Sequence, residues 1–345
     1  MCRKWLAVLI LALAFTGCSG KSKLVLYTWT DMFPPDILSG FERDTGRKIQ
    51  YVIFDTNETM IDKVKAAKGG KYDLIIADDY MLENVVNEGL ARRIDRSRLS
   101  NYDNINPRYQ GQFYDPADEY TIPYGAGILT IVYDPQKAMV PMRGYYDLWH
   151  PQLARRLGIV DNFRVINGMA LKVMGESYNT NDSATIRAAG EYLKILAPNI
   201  RLIRDDKLED ALISGEIFAA VMYTSQVTMA KIARPDLKVV FPAEGLGFGI
   251  MAAFIPVNSP NAEAAYAFLD YILDARRGAA CFEYLGYYST FSASDSLIDP
   301  EYRNFLTLPH DLKNVDSMEM IRNVSDEAEA VHSRVWAEFK SAAGR

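Results

Sequence analysis

Carboxylates and aromatic rings stand together where the chain leaves two apolar runs. Trp29, Thr30 and Asp31 end the run that begins at Leu24, and Asp78-Asp79-Tyr80 follows the run 72–77. Both runs have the composition of buried parallel strands, and such sheets bind ligands at the carboxyl ends of their strands. We therefore expect these groups to line a ligand site, and their negative charge favours a cationic or neutral solute.

Cys18 is a candidate for covalent modification because of the residues that precede it. Two basic residues and an apolar stretch of roughly ten residues lead to Thr16-Gly17, which stands just before the cysteine. This order is typical of a bacterial lipoprotein signal, in which the thiol is alkylated with diacylglycerol, and the apolar stretch is too short to span a membrane. We predict a signal peptide in 1–17, a lipid on Cys18 and a polar tether in 18–23. An ordinary secretory signal with an unmodified cysteine is the alternative.

Other reactive side chains give weaker indications. Tyr287 and Tyr288 are adjacent, and paired tyrosinates bind ferric iron in some two-lobed receptors. The alternative is that one ring lines a cleft while the other packs.

Cys281 has the setting of a small apolar helix residue, with no evident base to activate it. The Gly245–Gly249 segment precedes a strand instead of opening a helix, so it does not fit a dinucleotide fingerprint. We expect no cofactor, no metal and no enzymatic activity.

The elements that must position these groups alternate between strands and helices. Strands are predicted at 24–29, 49–54 and 72–77. The helices between and after them are predicted to begin at Pro34-Pro35, at an Asn57 cap and at Met81. This order predicts right-handed βαβ units on a parallel sheet.

Two glycine-rich segments divide the chain into two predicted lobes. Residues 122–127 and 244–249 precede apolar strands, and we interpret them as turns where the chain crosses to a second lobe and returns. One core rarely serves a chain of this length. The predicted lobes are listed by range: the first comprises 24–126 plus 251–297, and the second comprises 127–250 plus 298–345.

Composition limits the class of protein further. Removal of the predicted signal peptide leaves 328 of the 345 residues and takes away Arg3 and Lys4, so the formal net charge falls from −6 to −8. An acidic chain of this kind is not suited to nucleic acid. Cys281 is then the one cysteine besides Cys18, so we expect no intramolecular disulfide. No second apolar stretch is long enough to cross a membrane, so we expect attachment through lipid alone.

Taken together, these segments resemble the periplasmic spermidine/putrescine-binding proteins of ABC importers. The blocks with Trp29-Thr30-Asp31 and with Asn57-Glu58-Thr59-Met60 are the more specific ones. The matching blocks are 26–31, 34–35, 55–60, 72–75, 120–124, 147–149 and 285–287. The resemblance implies a type II periplasmic-binding-protein fold. In this fold each of two α/β lobes has a mixed, mainly parallel sheet flanked by helices, and hinge strands join the lobes. It also implies a monomer in the periplasm or cell envelope that passes its ligand to a permease.

The resemblance also implies which residues face the ligand. Trp29, Thr30, Tyr80 and Tyr287 match cleft positions of the family. Asp31 stands where the family has a glutamate, and Tyr223 stands where it has a tryptophan. Carboxylates suit the ammonium ends of a polyamine, and aromatic faces suit its methylene and charged groups.

At several positions where the family has charged, polar or aromatic cleft residues, this chain has a different type of residue. The family's carboxylates of the second lobe and hinge fall at Asn162, Val165 and Met251. Three further positions with polar or aromatic cleft residues in the family fall at Met32, Gly249 and Ile321. An ammonium group without a counter-charge is costly to bury, so these departures alone predict weak polyamine binding.

Relocated carboxylates offer a compensation. Asp78 and Asp205 occupy positions where the family has cleft-facing serines, and Asp161 lies close to the lost carboxylate at 162. The alternative for Asp205 is a helix cap before the segment 207–214, because aspartate is a favoured N-cap residue.

The sequence thus predicts a lipid-anchored binding protein for putrescine or spermidine. Trp29 and Tyr223 would hold the alkyl chain, and Asp31, Asp78 and Asp205 would hold the ammonium groups. The alternatives are the same receptor for a neutral or zwitterionic solute, ferric iron at Tyr287-Tyr288, or an enzyme with Cys281 in the cleft.

Overall fold

The structure is a computed structural model that describes residues 23–306 and 318–344. The predicted signal peptide, Cys18 and all of the tether except Lys23 lie outside these ranges. Within the described part of the chain, no helix is long and apolar enough to cross a membrane.

Ten strands are present in these two ranges: β1 (Leu24–Thr28), β2 (Ile49–Ile53), β3 (Leu74–Asp78), β4 (Thr121–Tyr133), β5 (Leu157–Ile159), β6 (Ile200–Ile203), β7 (Ala219–Tyr223), β8 (Lys238–Val240), β9 (Leu246–Phe254) and β10 (Met318–Met320). The α-helices are α1 (Pro35–Thr45), α2 (Asn57–Ala66), α3 (Asp79–Asn87), α4 (Phe163–Val173), α5 (Ser183–Leu196), α6 (Leu208–Ser214), α7 (Thr224–Ala233), α8 (Ala262–Ile272), α9 (Ala275–Leu285), α10 (Pro300–Leu306) and α11 (Asp326–Ala342).

The strands form one continuous order, in which the outer pairs are parallel and the central pairs are antiparallel. Their order is β2-β1-β3-β9-β4-β7-β5-β6, with β10 beside β9 and β8 beside β4. On one side β1 runs parallel to β2 and β3, and on the other β5 runs parallel to β6 and β7. The two sides are joined by β9 and β4, which run antiparallel to each other and to their other neighbours, β3 and β7. The long strand β4 pairs with β9 over its first part and with β7 over its last five residues.

The two largest hydrophobic cores among the described residues lie on either side of these central strands. The first lobe packs β1 and β3 against α1, α8 and α9, with a further cluster under α2 and α3. The second lobe packs β5 and β7 against α4, α5 and α11. Ile298, which the sequence analysis placed in the second lobe, is 1% exposed among the residues of the first core, so that lobe extends beyond 297. The remaining lobe boundaries stay a prediction.

Residues 122–127 lie within β4 and residues 246–249 within β9, so the prediction of turns was wrong for these residues, whereas Glu244 does lie in a turn before β9. Gly127 lies opposite Gly249 in the β4–β9 ladder, and Gly125 lies opposite Met251 next to a register shift. A methyl group added at Gly127 would come within 2.9 Å of the Tyr287 ring. Glycine is therefore required there by close side-chain packing instead of by a reversal of the chain.

Two of the three predicted helix starts differ from the structure: α3 begins at Asp79, two residues before the predicted Met81, and the cap of α2 is displaced by one residue. As predicted, α1 begins after Pro34, and it ends at Gly46 in the left-handed conformation. Asn57 is not the cap of α2, because Thr56 caps that helix by accepting a hydrogen bond from the Thr59 amide. This leaves the Asn57 side chain free to contact the end of β3.

Candidate ligand-binding cleft

A cavity of about 730 Å³ lies between the two lobes, at the carboxyl ends of β1, β3, β5, β6 and β7. All eight residues that the sequence analysis selected line it: Trp29, Thr30, Asp31, Asp78, Tyr80, Asp205, Tyr223 and Tyr287. The cavity is also lined by the six residues that differ in type from the family's cleft residues: Met32, Asn162, Val165, Gly249, Met251 and Ile321. The structure therefore gathers these positions in one place, while their contacts with a ligand stay a prediction.

The lining of the cleft is strongly acidic. Nine acidic side chains face two basic ones, Arg164 and Lys207. The acidic residues are Asp31, Asp55, Glu58, Asp78, Asp79, Asp161, Asp205, Asp206 and Glu209. A cleft with low-dielectric walls concentrates the field of such charges, so it attracts cations and repels anions.

On the first-lobe wall, Asp78 is the centre of a hydrogen-bond network. The Asn57 side-chain amide donates to the Asp78 carboxylate at 2.8 Å and to the Tyr80 hydroxyl at 3.1 Å. The Tyr80 hydroxyl donates to Glu58 at 3.1 Å. Burial raises the pKa of Asp78 to about 6 against the opposing effect of the Asn57 hydrogen bond, and the charges of Glu58 and Asp205 raise it further. A cation placed beside Asp78 would relieve this cost.

On the second-lobe wall, Asp205 and Asp161 follow β6 and β5. The Asp161 backbone amide donates to the Asp205 carboxylate at 3.0 Å, and the Gln226 side chain donates to the Asp205 carbonyl at 3.0 Å. Asp205 is exposed to the cleft, yet partial loss of water raises its pKa to about 6, with Asp161 adding to the rise. The helix-cap alternative for Asp205 is wrong, because α6 begins after Lys207 in the left-handed conformation and has no side-chain cap.

Aromatic rings lie between the two walls. Burial raises the pKa of Tyr223, and the charges of Asp205 and Asp78 on opposite lobes act on it in the same direction. The pKa of Tyr287 is raised to about 12, chiefly by burial and also by these two aspartates. Trp29 is held on the first lobe by its contact with Phe54, at 4.7 Å between ring centroids. All four residues line the same cavity, and the charges of both aspartates act on both tyrosines.

The iron alternative is contradicted by the directions of the two tyrosines. Tyr287 lines the cleft, whereas Tyr288 is 5% exposed in a small core with Tyr109 and Ile250. The backbone of Tyr288 pairs with Ala126, so successive side chains point to opposite sides. In the part of the chain that the structure describes, no group of three or more histidine, cysteine or acidic residues is arranged to hold a metal ion.

The enzyme alternative is contradicted in the same way. Cys281 has no exposed surface and belongs to the first core, away from the cleft lining. Burial raises the pKa of its thiol to about 12, so the thiolate that a nucleophile needs is not formed at neutral pH.

Several cleft residues were missed in the sequence. Glu58 lies in the matching block 55–60, but its place in the cleft could not be predicted because its contact with Tyr80 joins residues 22 positions apart in the chain. Glu209 lies in the first turn of α6 and also lines the cleft. Arg164 is 2% exposed, and its guanidinium donates to Glu329 of α11 at 3.3 Å and to the Arg322 carbonyl at 3.1 Å. A buried arginine cannot be distinguished in sequence from an exposed one on the same helix.

Comparisons with known proteins agree with this architecture. A family model described as bacterial extracellular solute-binding protein matches residues 36–304. The spermidine/putrescine-binding periplasmic protein of Salmonella typhimurium is 32% identical over 338 residues, which cover 96% of each chain.

Two solved structures are similar over nearly the whole fold. The substrate-binding protein of a spermidine/putrescine ABC transporter from Streptococcus pneumoniae has a TM-score of 0.79 and 27% identity, covering 94% of this chain and 100% of that one. A structure described as a spermidine/putrescine ABC transporter from Listeria monocytogenes has a TM-score of 0.85 and 26% identity, covering 92% of this chain and 98% of that one. The predicted periplasmic-binding-protein fold is confirmed by these likenesses.

Proposed function

The chain belongs to the family of bacterial extracellular solute-binding proteins, and from this premise we propose that it captures a polyamine, putrescine or spermidine, for an ABC importer. Proteins of this family bind solutes without transforming them, in agreement with the expectation that the chain is not an enzyme. The polyamine assignment is supported by the relatives that bind spermidine and putrescine and by the chemistry of the cleft.

The observation that carries the proposal is the charge of the cleft. Nine acidic residues line a cavity of about 730 Å³ that also contains eight aromatic rings. A polyamine is a chain of methylene groups between ammonium groups, so it needs both kinds of surface. A neutral or zwitterionic solute would bring no net positive charge to these carboxylates, whereas putrescine brings two positive charges and spermidine three, which lowers the cost of closing the cleft.

Asp78 and Asp205 would receive the ammonium groups from opposite lobes. The methylene chain between them would lie against Tyr223 and Tyr287, with Trp29 covering it from the first lobe. Thr30 and Asp31 stand at the rim of the same wall, where a further ammonium or hydroxyl contact is available. Because the two carboxylates belong to different lobes, one dication bridges the lobes and favours the closed form, which the permease would then recognise.

Titration calorimetry tests this function. Folded, ligand-free protein is expected to bind putrescine or spermidine with saturable heat at micromolar concentrations, because the cleft supplies both counter-charge and aromatic surface. Glutamate, an anion of similar length, serves as the control and is expected to give no heat. If neither polyamine gives heat at high micromolar concentration, the polyamine assignment fails.

The proposal includes a cellular location and a membrane attachment for this chain. The relatives are periplasmic proteins, and we place this chain in the periplasm, attached to a membrane by a lipid on Cys18 and acting as a monomer. Labelled palmitate is expected to enter the wild-type protein, and Cys18→Ser is expected to abolish the labelling and release the protein from membranes. Equal labelling of both would show that Cys18 is not the anchor.

A further inference from the structure

Asp79 is a buried carboxyl group that the assignments above leave without a role. It is 3% exposed, it opens α3, and it lines the cleft beside Asp78. One carboxylate oxygen accepts from the Tyr80 backbone amide at 2.9 Å, and the other accepts from the Ile250 amide of β9 at 3.2 Å. These two bonds hold the group in a fixed position between the first lobe and the central strands.

The surroundings of Asp79 contain no positive side chain that would balance its charge. None of the described lysines and arginines pairs with it. The groups that face it are the Asp78 carboxylate, the Tyr114 phenol and the two backbone amides, together with the N-terminus of α3. Burial raises its pKa well above the usual value, and Asp78 raises it further. A buried carboxylate of this kind requires a cation or a proton.

Gly249 leaves an opening over this carboxylate. A β-carbon at position 249 would lie 3.6 Å from the carboxylate oxygen that accepts from Ile250, which is ordinary van der Waals contact. Any side chain longer than alanine would extend over Asp79 or into the cleft beside it. Both residues line the cavity, so glycine at this position keeps Asp79 within reach of a bound molecule.

We propose that Asp79 forms a deep ammonium-binding subsite, reached through the gap at Gly249, and that one ammonium group of the ligand lies between Asp78 and Asp79. This inference rests on the proposed function and deepens it by naming a second carboxylate for one of the two ammonium groups. The ligand class is a primary amine, because a small –NH₃⁺ group fits a gap that a single side chain would fill.

The test compares substitutions that remove the carboxylate with substitutions that cover it. Asp79→Asn is expected to weaken putrescine binding at least about tenfold, because a charged hydrogen bond is lost. Gly249→Leu is expected to do the same while leaving Asp79 and its bond to Ile250 in place. Gly249→Ala adds only a methyl group, which fits there, so it is expected to weaken binding less than Gly249→Leu. Asp62→Asn, at an exposed aspartate of α2 outside the cleft lining, is the control and is expected to stay within about threefold of wild type.

The combination of the two changes decides between a binding role and a structural one. If Gly249→Leu acts by covering Asp79, then adding Asp79→Asn to that variant is expected to cost no more than about threefold further. Full putrescine affinity in Gly249→Leu, or fully additive losses, would overturn the subsite. Failure of the wild-type protein to bind putrescine would instead overturn the proposed function. Melting curves of each variant identify any that does not fold. If Asp79→Asn fails to fold, the two Gly249 variants still test the subsite, because they leave the Asp79 side chain unchanged.

Discussion

Replacing Asp78 and Asp205 together with asparagine is expected to nearly abolish putrescine binding. Each change removes one charged hydrogen bond to an ammonium group, worth about 1.5–3 kcal/mol, so the double variant should lose about 3–6 kcal/mol of binding free energy. This corresponds to a loss of more than about hundredfold in affinity. Asparagine keeps an oxygen that can accept from Asn57 at position 78 and from the Asp161 amide at position 205, so the fold should persist.

Asp206→Asn provides the matched control for this experiment. Asp206 lies next to Asp205 and lines the same cleft, but it was not assigned to an ammonium group. Its loss should change putrescine affinity by less than about threefold, as expected for an exposed charge at a distance. Calorimetry of the three proteins checks both statements. Equal losses in Asp206→Asn and in the double variant would mean that the cleft acts through its overall charge and not through the two assigned carboxylates.

Putrescine affinity is expected to fall steeply below pH 6. The pKa values of Asp78 and Asp205 in the free protein are both raised to about 6, and a bound dication favours their ionised forms. Protons therefore compete with the ligand as pH decreases through 6, while the ligand's own amines stay charged. Two such groups predict a loss of about hundredfold between pH 7.5 and pH 5.

The stability of the ligand-free protein should change in the opposite direction. Both folded pKa values lie above the unfolded value, so the native state binds more protons than the unfolded state between about pH 4 and pH 6. These two groups therefore make the free protein more stable at pH 5 than at pH 7.5, where both are ionised. Calorimetry for affinity and thermal unfolding for stability, each with the double variant as control, test the two signs. Affinity that does not change between pH 7.5 and pH 5 would contradict the role of these aspartates.

The sequence predicts the positions of the cleft better than its chemistry. Strand ends carry the ligand groups of parallel α/β sheets, so Trp29, Asp78 and Tyr80 could be located from local patterns alone. The same rule places Asp205 and Tyr223 correctly once the strands of the second lobe are found. The sequence does not predict how the carboxylates of the two lobes are arranged around the cleft, because that depends on distances between residues far apart in the chain.

Two local patterns in the sequence are overridden by tertiary contacts. Gly125 and Gly127 are residues typical of a turn, but they lie in a paired strand, where their small size accommodates the Tyr287 side chain. Asn57 is a residue typical of a helix N-cap, but its side-chain amide instead donates hydrogen bonds to Asp78 and Tyr80. In both cases a tertiary contact overrides the local preference, and in both cases the contact belongs to the cleft.

A structure of the putrescine complex tests the central claim most directly. We expect one ammonium nitrogen within about 3 Å of the Asp78 carboxylate and the other within about 3 Å of the Asp205 carboxylate, with the methylene chain along Tyr223 and Tyr287. Putrescine bound in the cleft with neither ammonium group on these two aspartates, or bound elsewhere on the protein, would contradict it.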